Sequence, residues 1–441
     1  MKEHFFELAD RLARGLQAGE ALLCGFSGER SDFVRFNRGR VRQAGSVEQR
    51  SVSLRLVRAH RQVSAAVSVA GGRDELDFLK RVLARLRDAL AQLPQDPWLL
   101  VNETPRSTAS ERRGALLAPE AVVDQALSAA QGRDLVGIYA GGTIYRGFAN
   151  SLGQRNWHEV DSFNFDWSLY RQGDQAVKAG YSGFDWEERV LRDKLGAAAE
   201  QLALLELAQR RIEPGEYRAY LAPRALEELA GMLAWGGFSA RARATKQSPL
   251  LRMQEGAPNA RLSPKITLTE NTAQGVAPGF QSDGFVKPPC VTLIANGRLG
   301  EALVSPRSAK EYGLATNAAG AGESPESLDL APGSLERDEV LAALDTGLYI
   351  GNLWYLNYSD RPAGRVTGMT RFATFLVEHG RIAAPVSPMR FDDSLYRMLG
   401  ENLVDLTRDR ELLLDPSTYG ERSTASARLP GALLRALRFT L

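Results

Sequence analysis

The spacing of apolar residues changes between helical and strand-like over the first 95 positions. Apolar residues recur every three or four positions at the start and predict an amphipathic helix: Phe5, Leu8, Leu12 and Leu16. Apolar and polar residues then alternate, which predicts strands over 21–26, 31–37, 49–57 and 62–69. A leucine series over 74–93, ended by Pro94, predicts a second helix. These elements indicate an α+β domain over 1–95.

The composition changes after this domain. Residues 96–119 are rich in Pro, Ser, Thr and Arg, and we interpret them as a linker. A middle segment over 120–215 has helical patterns over 120–131 and 187–212, with β-segments between them. In one β-segment every second residue is large and apolar: Phe163, Phe165, Trp167 and Leu169. This alternation predicts a strand with one buried face.

Residues 216–441 are predicted to form a larger β-rich C-terminal domain. It begins with a strand over 216–221 and a helix from Pro223 to about Trp235. Two hairpin turns are expected, at Asn296-Gly297 and at His379-Gly380. Residues 318–333 are rich in Ala, Gly and Ser and are expected to be mobile. The predicted fold class is therefore α+β, with an N-terminal antiparallel sheet and helices followed by this larger domain.

Composition places the chain among ordinary globular proteins. It has 441 residues, 44% of them hydrophobic and 24% charged, with a formal net charge of only +2. Such a balance gives no global field for nucleic acid or an anionic membrane, and neither is expected as a partner. Cys24 and Cys290 form no CxxC pair and are expected to be packed thiols in a reducing compartment. With no signal-peptide pattern and no long apolar run, we expect a cytoplasmic location.

Histidine is scarce. The chain has four, and none lies between His158 and His379. His4 is expected on the surface of the first helix, while His60 and His379 fall at predicted hairpin tips. The stretch from 159 to 378, which includes most of the C-terminal domain, therefore offers no imidazole for a metal site or a catalytic base.

Other candidate chemistry is weak. Strand alternation directs His158 away from Glu159 and Asp161, so the three are not expected to share a metal. Glu227 and Glu228 are adjacent acids on the helix after Pro223 and could act as a base or bind a hard ion, although one should face solvent. There is no GxSxG elbow, P-loop or GxGxxG pattern.

Several short motifs, in order along the chain, resemble the TldD/PmbA family. They are Ser31 to Gln43, Phe280-Gln281-Ser282-Asp283-Gly284, Tyr312 to Asn317, Thr346-Gly347-Leu348-Tyr349, Arg365-Val366-Thr367-Gly368, and Phe375 to Ile382 with Pro385-Val386. The resemblance implies an α+β protein with an N-terminal sheet domain and a larger β-rich domain. TldD-type members are zinc peptidases with a His-Glu-x-x-x-His helix and a cysteine ligand nearer the C-terminus. PmbA-type members, also called TldE, lack that helix motif and pair with a TldD-type chain.

This sequence departs from the zinc-binding pattern. The helix at the corresponding position, 225–235, has no histidine, and no cysteine follows Cys290. The resemblance therefore implies a non-catalytic, PmbA/TldE-like subunit with no catalytic or metal residues and no cofactor of its own. Zinc is expected on a TldD-like partner chain, with which this chain would enclose and process peptides.

Three residues are candidates for facing the peptide chamber: Thr367, Gly368 and Arg371. They are inferred only from their place in the family-like segment. Two alternatives stay open. One is a stand-alone homodimeric binding or scaffold protein without a proteolytic role, and the other is an enzyme with a carboxylate-only metal site at Glu227 and Glu228. Aromatic residues are frequent over 352–360 and are expected mainly in a core.

Overall fold

The computed structural model describes residues 1–173 and 175–440, which form two sheets with their helices. The elements of the N-terminal half are α1 (Lys2–Ala13), β1 (Ala21–Asn37), β2 (Arg40–Arg58), β3 (Arg61–Ser68), α2 (Glu75–Leu90), β4 (Thr108–Arg112), α3 (Pro119–Ala130), β5 (Asp134–Asn150), β6 (Arg155–Tyr170), β7 (Ala176–Gly183) and α4 (Glu188–Leu204).

The second half begins at Gly215. Its elements are β8 (Gly215–Leu221), α5 (Pro223–Ala234), α6 (Ala240–Ala244), α7 (Leu251–Gln254), β9 (Leu268–Glu270), β10 (Val291–Ala295), β11 (Arg298–Leu299), α8 (Pro306–Tyr312), β12 (Ser327–Leu330), α9 (Val340–Leu344), β13 (Gly347–Asp360), β14 (Arg365–Glu378), β15 (Arg381–Pro385), β16 (Arg390–Ser394), β17 (Leu403–Leu414) and β18 (Ser426–Phe439). A 3₁₀ turn spans Arg337–Glu339 and a π-helical turn spans Arg397–Glu401.

The N-terminal sheet has the strand order β3-β2-β1-β5-β6-β4, with β7 also paired to β6. All these pairs are antiparallel except β4 with β6. The strands predicted over 21–26 and 31–37 are one strand, β1, which pairs through residues 27–30 with both β2 and β5. Polar residues interrupt the apolar pattern there because Glu29 is buried and accepts hydrogen bonds from Ser31 and Gln49.

Helices cover this sheet as their apolar spacing predicts. The leucines of α2 pack with α1 and with β1 and β2 in one core. A second core, between the sheet, α3 and α4, contains Phe163, Phe165, Trp167 and Leu169, which confirms the predicted alternation. The helix predicted over 187–212 ends at Leu204 instead, and the backbone N–H of Arg210 donates to the Pro385 carbonyl of the other domain.

The stretch interpreted as a linker contributes to the sheet. Within 96–119, β4 pairs in parallel with β6. Its side chains are mostly exposed, so backbone pairing holds a strand that composition does not reveal. Because β5 pairs with β1, a single sheet crosses from 1–95 into 120–215. The predicted domain boundaries themselves stay a prediction.

The C-terminal domain contains an eleven-stranded mixed sheet. Strands β8, β13, β14, β16 and β18 pair in a closed circuit, and α5 packs against β13 and β18. Asn296 and Gly297 have φ values of 47° and 76°, which confirms the tight hairpin turn between β10 and β11.

The expectation of mobility over 318–333 is wrong. This segment contains β12, and Glu323 within it is only 1% exposed. The carboxylate of Glu323 accepts hydrogen bonds from the hydroxyls of Ser239 (2.6 Å) and Ser305 (2.8 Å) and from two backbone N–H groups. A buried charge thus fixes a segment whose small residues suggested flexibility.

The predicted α+β class, with an N-terminal antiparallel sheet and a larger β-rich second domain, is confirmed. In residues 1–173 and 175–440, no helix is both long enough and apolar enough to cross a membrane.

Candidate functional site

Helix α5 lies where the two domains meet. It follows β8 directly and has Pro223 in its first turn, where the missing N–H costs no helical hydrogen bond. One face is buried in the C-terminal core: Ala225, Leu226, Leu229, Ala230, Met232 and Leu233. From its first turn, Arg224 reaches Asp166 on β6 of the N-terminal sheet. The polar residues of α5 thus lie next to the N-terminal domain.

Two adjoining cavities occupy the boundary between the domains. Their volumes are about 360 Å³ and about 100 Å³, and both are lined by α4, by the start of α5, and by Arg337, Tyr349 and Glu411. Together they form the interdomain cleft. Its lining combines charged side chains such as Arg337 and Glu411 with apolar ones such as Val340 and Ile382, which suits a ligand with both polar and apolar parts.

Ion pairs cross the cleft. Asp166 lies 3.0 Å from the Arg224 guanidinium, and Lys194 lies 3.0 Å from Glu411. Asp166 also pairs within the N-terminal sheet with the Lys178 ammonium, at 3.5 Å. Burial alone would raise the pKa of Glu411, but Lys194 and more distant arginines outweigh it and lower that pKa. Glu411 is therefore a carboxylate whose charge is matched by its neighbours.

Gly180 on β7 makes room for Arg224. A Cβ at this position would collide with the Arg224 guanidinium and would lie 3.1 Å from the Phe165 carbonyl. The absence of a side chain lets an arginine of one domain lie against the backbone of the other.

Glu227 is half-buried on α5 and receives no hydrogen bond from the residues that the structure describes. Burial raises the pKa of Glu227 to about 7, with Arg224 opposing the shift and Glu228 and Asp166 adding to it. Glu228 is exposed, as was expected for one of the two acids, and desolvation raises its pKa as well. Near neutral pH, Glu227 can therefore exchange a proton.

The residues of α5 do not fit a zinc site. Over the described ranges, no three His, Cys, Asp or Glu side chains are grouped so that they could hold a metal ion. Cys290 is exposed, so the expectation that it packs as a small apolar residue is wrong, whereas Cys24 is buried as expected. Burial raises the pKa of the Cys24 thiol to about 12, which keeps it protonated.

Two hydrogen bonds hold the ring of His158 in place. Its Nε2 lies 2.9 Å from the Val276 carbonyl and its Nδ1 lies 2.8 Å from the Ser110 hydroxyl. Burial lowers the pKa of His158 to about 4, so the neutral ring donates from Nε2 and accepts at Nδ1. Asp161 instead accepts a hydrogen bond from Thr143 at 2.6 Å. The imidazole thus connects the N-terminal sheet to the C-terminal domain.

The other three histidines are not among the residues that line the cleft. His4 is half-exposed on α1 and lies 2.6 Å from Glu75 on α2. His60 and His379 have φ values of 59° and 52° at the tips of the β2–β3 and β14–β15 hairpins, which confirms the predicted turns.

The three chamber candidates lie on β14 in different environments. The Thr367 hydroxyl contacts the Phe391 carbonyl at 3.1 Å and accepts from Arg390 at 3.0 Å. Gly368 is buried, and a Cβ there would lie within 3.0 Å of Leu356 and Phe391. Arg371 alone presents a charged group, stacked 4.8 Å above the Trp354 ring. Their assignment to a peptide chamber stays a prediction.

An aromatic surface lies beside Arg371. Trp354 is 50% exposed and Tyr355 is 77% exposed, so the expectation that this stretch packs mainly in a core is wrong for both. Tyr355 occupies a bulge in β13 and has a φ of 58°, which turns its ring out of the regular strand pattern. Tyr358, in contrast, is half-buried and packs against the C-terminal core.

Sequence reasoning missed the charged lining of the cleft. Asp166, Lys178 and Lys194 come from three elements of the first domain and meet Arg224 and Glu411 of the second. Single charged residues on strands and helices usually indicate solvent exposure. Only the packing of the two domains brings these residues together.

The fold and the cleft define a two-domain α+β protein whose C-terminal sheet domain contributes the helix beside the cleft. Residues 214–440 match the model of the PmbA/TldA metallopeptidase C-terminal domain. This match spans more than half of the chain, which therefore belongs to the PmbA/TldD family.

Solved structures share the whole architecture. TldE from Thermococcus kodakarensis has a TM-score of 0.80 at 14% identity, covering 99% of this chain and 100% of that chain. A candidate DNA gyrase modulator from Thermotoga maritima has a TM-score of 0.78 at 17% identity, with the same coverage. Another from Bacteroides thetaiotaomicron has a TM-score of 0.76 at 18% identity, covering 100% of this chain and 98% of that chain. At these identities the likeness shows the fold. No curated protein matches the sequence.

Proposed function

We propose that this chain is the non-catalytic, TldE-like subunit of a two-component metallopeptidase. It would pair with a TldD-like chain that holds zinc on its own His-Glu-x-x-x-His helix, and the two would enclose peptides. The residues of α5 carry this proposal. The helix has the family framework, yet its buried face is aliphatic and its polar positions are Arg224, Glu227 and Glu228.

The chemistry of these side chains supports the assignment. Structural and catalytic zinc sites take imidazole, thiolate and a few carboxylate ligands in a compact group. Glu227 has no histidine or cysteine near it on α5, and Cys290 lies on the entry to β10. The charged interdomain cleft is instead suited to binding, since ion pairs and hydrogen-bonding groups line it.

Co-purification tests the pairing. The tagged chain would be expressed with a TldD-like chain from the same genome, and the complex would be isolated through the tag. We expect the partner to be retained in one-to-one ratio, and recovery of the tagged chain without it would contradict the proposal. A TldD-like chain from which the zinc histidines are removed should still be retained, because pairing does not depend on the metal.

Arg371→Ala tests the chamber assignment within this complex. If Arg371 faces the peptide, removal of its guanidinium should reduce peptide cleavage by about tenfold, as for the loss of one charged contact. Arg381→Ala, on the exposed β14–β15 hairpin, is the matched control and should leave cleavage unchanged. If the two variants cleaved peptide equally well, the assignment of Arg371 to the chamber would be wrong.

A carboxylate-based activity of the chain itself is the second candidate. The pKa of about 7 for Glu227 favours it, since such a group can act as a general base near neutral pH. Only this candidate predicts that Glu227→Gln abolishes cleavage by the reconstituted complex while pairing persists. Retained cleavage would exclude it.

A further inference from the structure

The phenol of Tyr220 is buried without a hydrogen-bond partner. Tyr220 lies on β8 and is 5% exposed, yet its hydroxyl forms no hydrogen bond with any residue of 1–173 and 175–440. Buried tyrosines usually pair this hydroxyl, because a buried polar group without a partner loses the bonds that water would make. The side chain lines the larger part of the interdomain cleft, the cavity of about 360 Å³. A ligand in this cavity could supply the missing partner.

The fold accommodates this hydroxyl with a glycine. A Cβ at Gly431 on β18 would collide with the Tyr220 hydroxyl. Thr407 also lines the cavity, but its hydroxyl already accepts from the Gly431 N–H at 2.7 Å and donates to the Asp409 carbonyl at 2.8 Å. The absence of a side chain at Gly431 thus makes room for a hydroxyl that adds no hydrogen bond to the fold.

A second phenol and a guanidinium lie beside Tyr220. The rings of Tyr220 and Tyr349 are 5.3 Å apart between centroids. Arg337 lines the same cavity and forms no ion pair within the described ranges. Burial raises the pKa of both phenols, and the positive charge of Arg337 opposes that rise at each of them. A guanidinium next to protonated phenols suits a carboxylate, which accepts hydrogen bonds from both.

The other cations of the cleft already have carboxylate partners: Lys178, Arg224, Lys194 and Arg410. Two acids of the lining have none. Glu200 on α4 and Asp409 on β17 are exposed, and neither forms an ion pair elsewhere in the described part of the chain. Carboxylates of this kind suit an ammonium group. The cavity therefore has uncompensated charges of both signs.

Aliphatic side chains complete the wall of the cavity: Leu204, Val340, Leu341 and Ile382. Apolar surface next to charges of both signs matches a small molecule with a carboxylate, an ammonium and an apolar body. Ligand pockets have volumes of about 300 to 1,000 Å³, and this one lies near the lower limit. Its size suits one or two amino-acid residues.

We propose that the interdomain cleft binds an apolar amino acid or a short apolar peptide, with its carboxylate at Arg337 and Tyr220 and its ammonium at Glu200 or Asp409. The chemistry common to both ligands is a zwitterion with an aliphatic side chain. This inference goes beyond the proposed function and does not depend on it, because every group of the site belongs to this chain. Ligand binding to the isolated chain and co-purification of a partner chain can therefore succeed or fail separately.

Isothermal titration calorimetry of the isolated chain tests the ligand class. The probes are L-leucine and leucyl-leucine, with leucinamide lacking the carboxylate and N-acetyl-leucine lacking the ammonium. We expect saturable binding of leucine or of the dipeptide, and the tighter of the two identifies the source of the ligand. Blocking either charge should weaken binding by about tenfold or more, as for the loss of one charge-assisted hydrogen bond. No binding of either probe, or equal affinity for the blocked analogues, would overturn the proposal.

Tyr220→Phe and Arg337→Gln test the donors. Tyr220→Phe removes a hydroxyl that has no partner, so the free energy of unfolding should not fall, whereas the affinity for the tighter probe should fall by about fivefold. Arg337→Gln should lower that affinity by about tenfold or more. Arg435→Gln is the matched control, since Arg435 is exposed on β18 and is not among the residues that line the cleft. Wild-type affinity in Tyr220→Phe, or equal affinities of the two arginine variants, would contradict the proposal.

Discussion

Glu323 and Glu227 are two carboxylates of the same domain in opposite environments. Glu323 is almost fully buried and accepts four hydrogen bonds from Ser239, Arg241 and Ser305. Burial would raise its pKa, but these donors more than compensate and lower it. Glu227 is less deeply enclosed and has no such donors, so burial raises its pKa to about 7.

The comparison distinguishes a carboxylate with a structural role from one that is free to gain or lose a proton. The donors around Glu323 hold a fixed charge that joins α6, α8 and the segment before β12. Under the proposed function, Glu227 lies on the helix that corresponds to the zinc-binding helix of a TldD-like chain, and no hydrogen-bond donor holds it in one protonation state. Glu323 is thus bound by its neighbours in one protonation state, whereas Glu227 is a carboxylate without hydrogen-bond donors among the described residues.

Glu323→Gln should have the largest effect on stability. The amide would place an NH₂ group against donors that need an acceptor, leaving buried groups unsatisfied. We expect the free energy of unfolding to fall by about 3 kcal/mol, measured by urea denaturation followed by tryptophan fluorescence. Glu301→Gln, at an exposed position, is the control and should change little. If Glu323→Gln lowered the free energy of unfolding no more than Glu301→Gln does, the proposed structural role of Glu323 would be wrong.

Glu227→Gln should stabilise the protein at alkaline pH. Because the folded-state pKa of Glu227, about 7, lies above its ordinary value of 4.5, wild type loses stability as the pH rises from about 4.5 to about 7. The variant should gain about 2 kcal/mol at pH 8, discounted for partial hydration, and almost nothing at pH 4. Urea denaturation at both pH values measures this difference.

Glu228→Gln provides the matched control for that experiment. Its side chain is exposed, so its effect should be a few tenths of a kcal/mol at most. If Glu228→Gln stabilised the protein as much as Glu227→Gln, the two carboxylates would not differ in environment. The same conclusion would follow if the stabilisation by Glu227→Gln did not depend on pH.

Gly180→Ala should have a smaller effect, transmitted through Arg224. The added methyl group displaces the guanidinium from Asp166 and should cost about 1 kcal/mol, as for the loss of one partly buried ion pair. Since Arg224 holds the pKa of Glu227 down, its displacement should also shift the pH dependence of Glu227 upward. Gly183→Ala, where a Cβ makes ordinary contacts at 3.4 Å, should leave both quantities unchanged.

Sequence patterns predicted the parts of the fold in which apolar spacing and burial coincide. The leucines of α2, the aromatic alternation of β6 and the turn at Asn296-Gly297 all have local causes. The patterns failed where polar groups are buried and paired. Glu29 interrupts the apolar pattern of β1, and the Ala- and Gly-rich segment around Glu323 is held by hydrogen bonds from distant residues.

The site was harder to predict than the fold. The sequence patterns predicted α5, and the motifs indicated the family. The cleft, however, depends on contacts such as that of Asp166 with Arg224, which are 58 positions apart. No local pattern in the sequence predicts that either residue is part of an interdomain ion pair. The exposure of Trp354 follows from the bulge at Tyr355 beside it, since local backbone geometry decides where an aromatic ring on a strand points.

Zinc content and peptide cleavage test the central claim most directly. The purified chain, a TldD-like partner and their complex would each be analysed for bound zinc and for cleavage of an unfolded peptide, with and without a chelator. The account predicts that the chain alone retains no stoichiometric zinc and cleaves nothing, while cleavage by the complex is lost on chelation. Stoichiometric zinc together with chelator-sensitive cleavage by the isolated chain would contradict it.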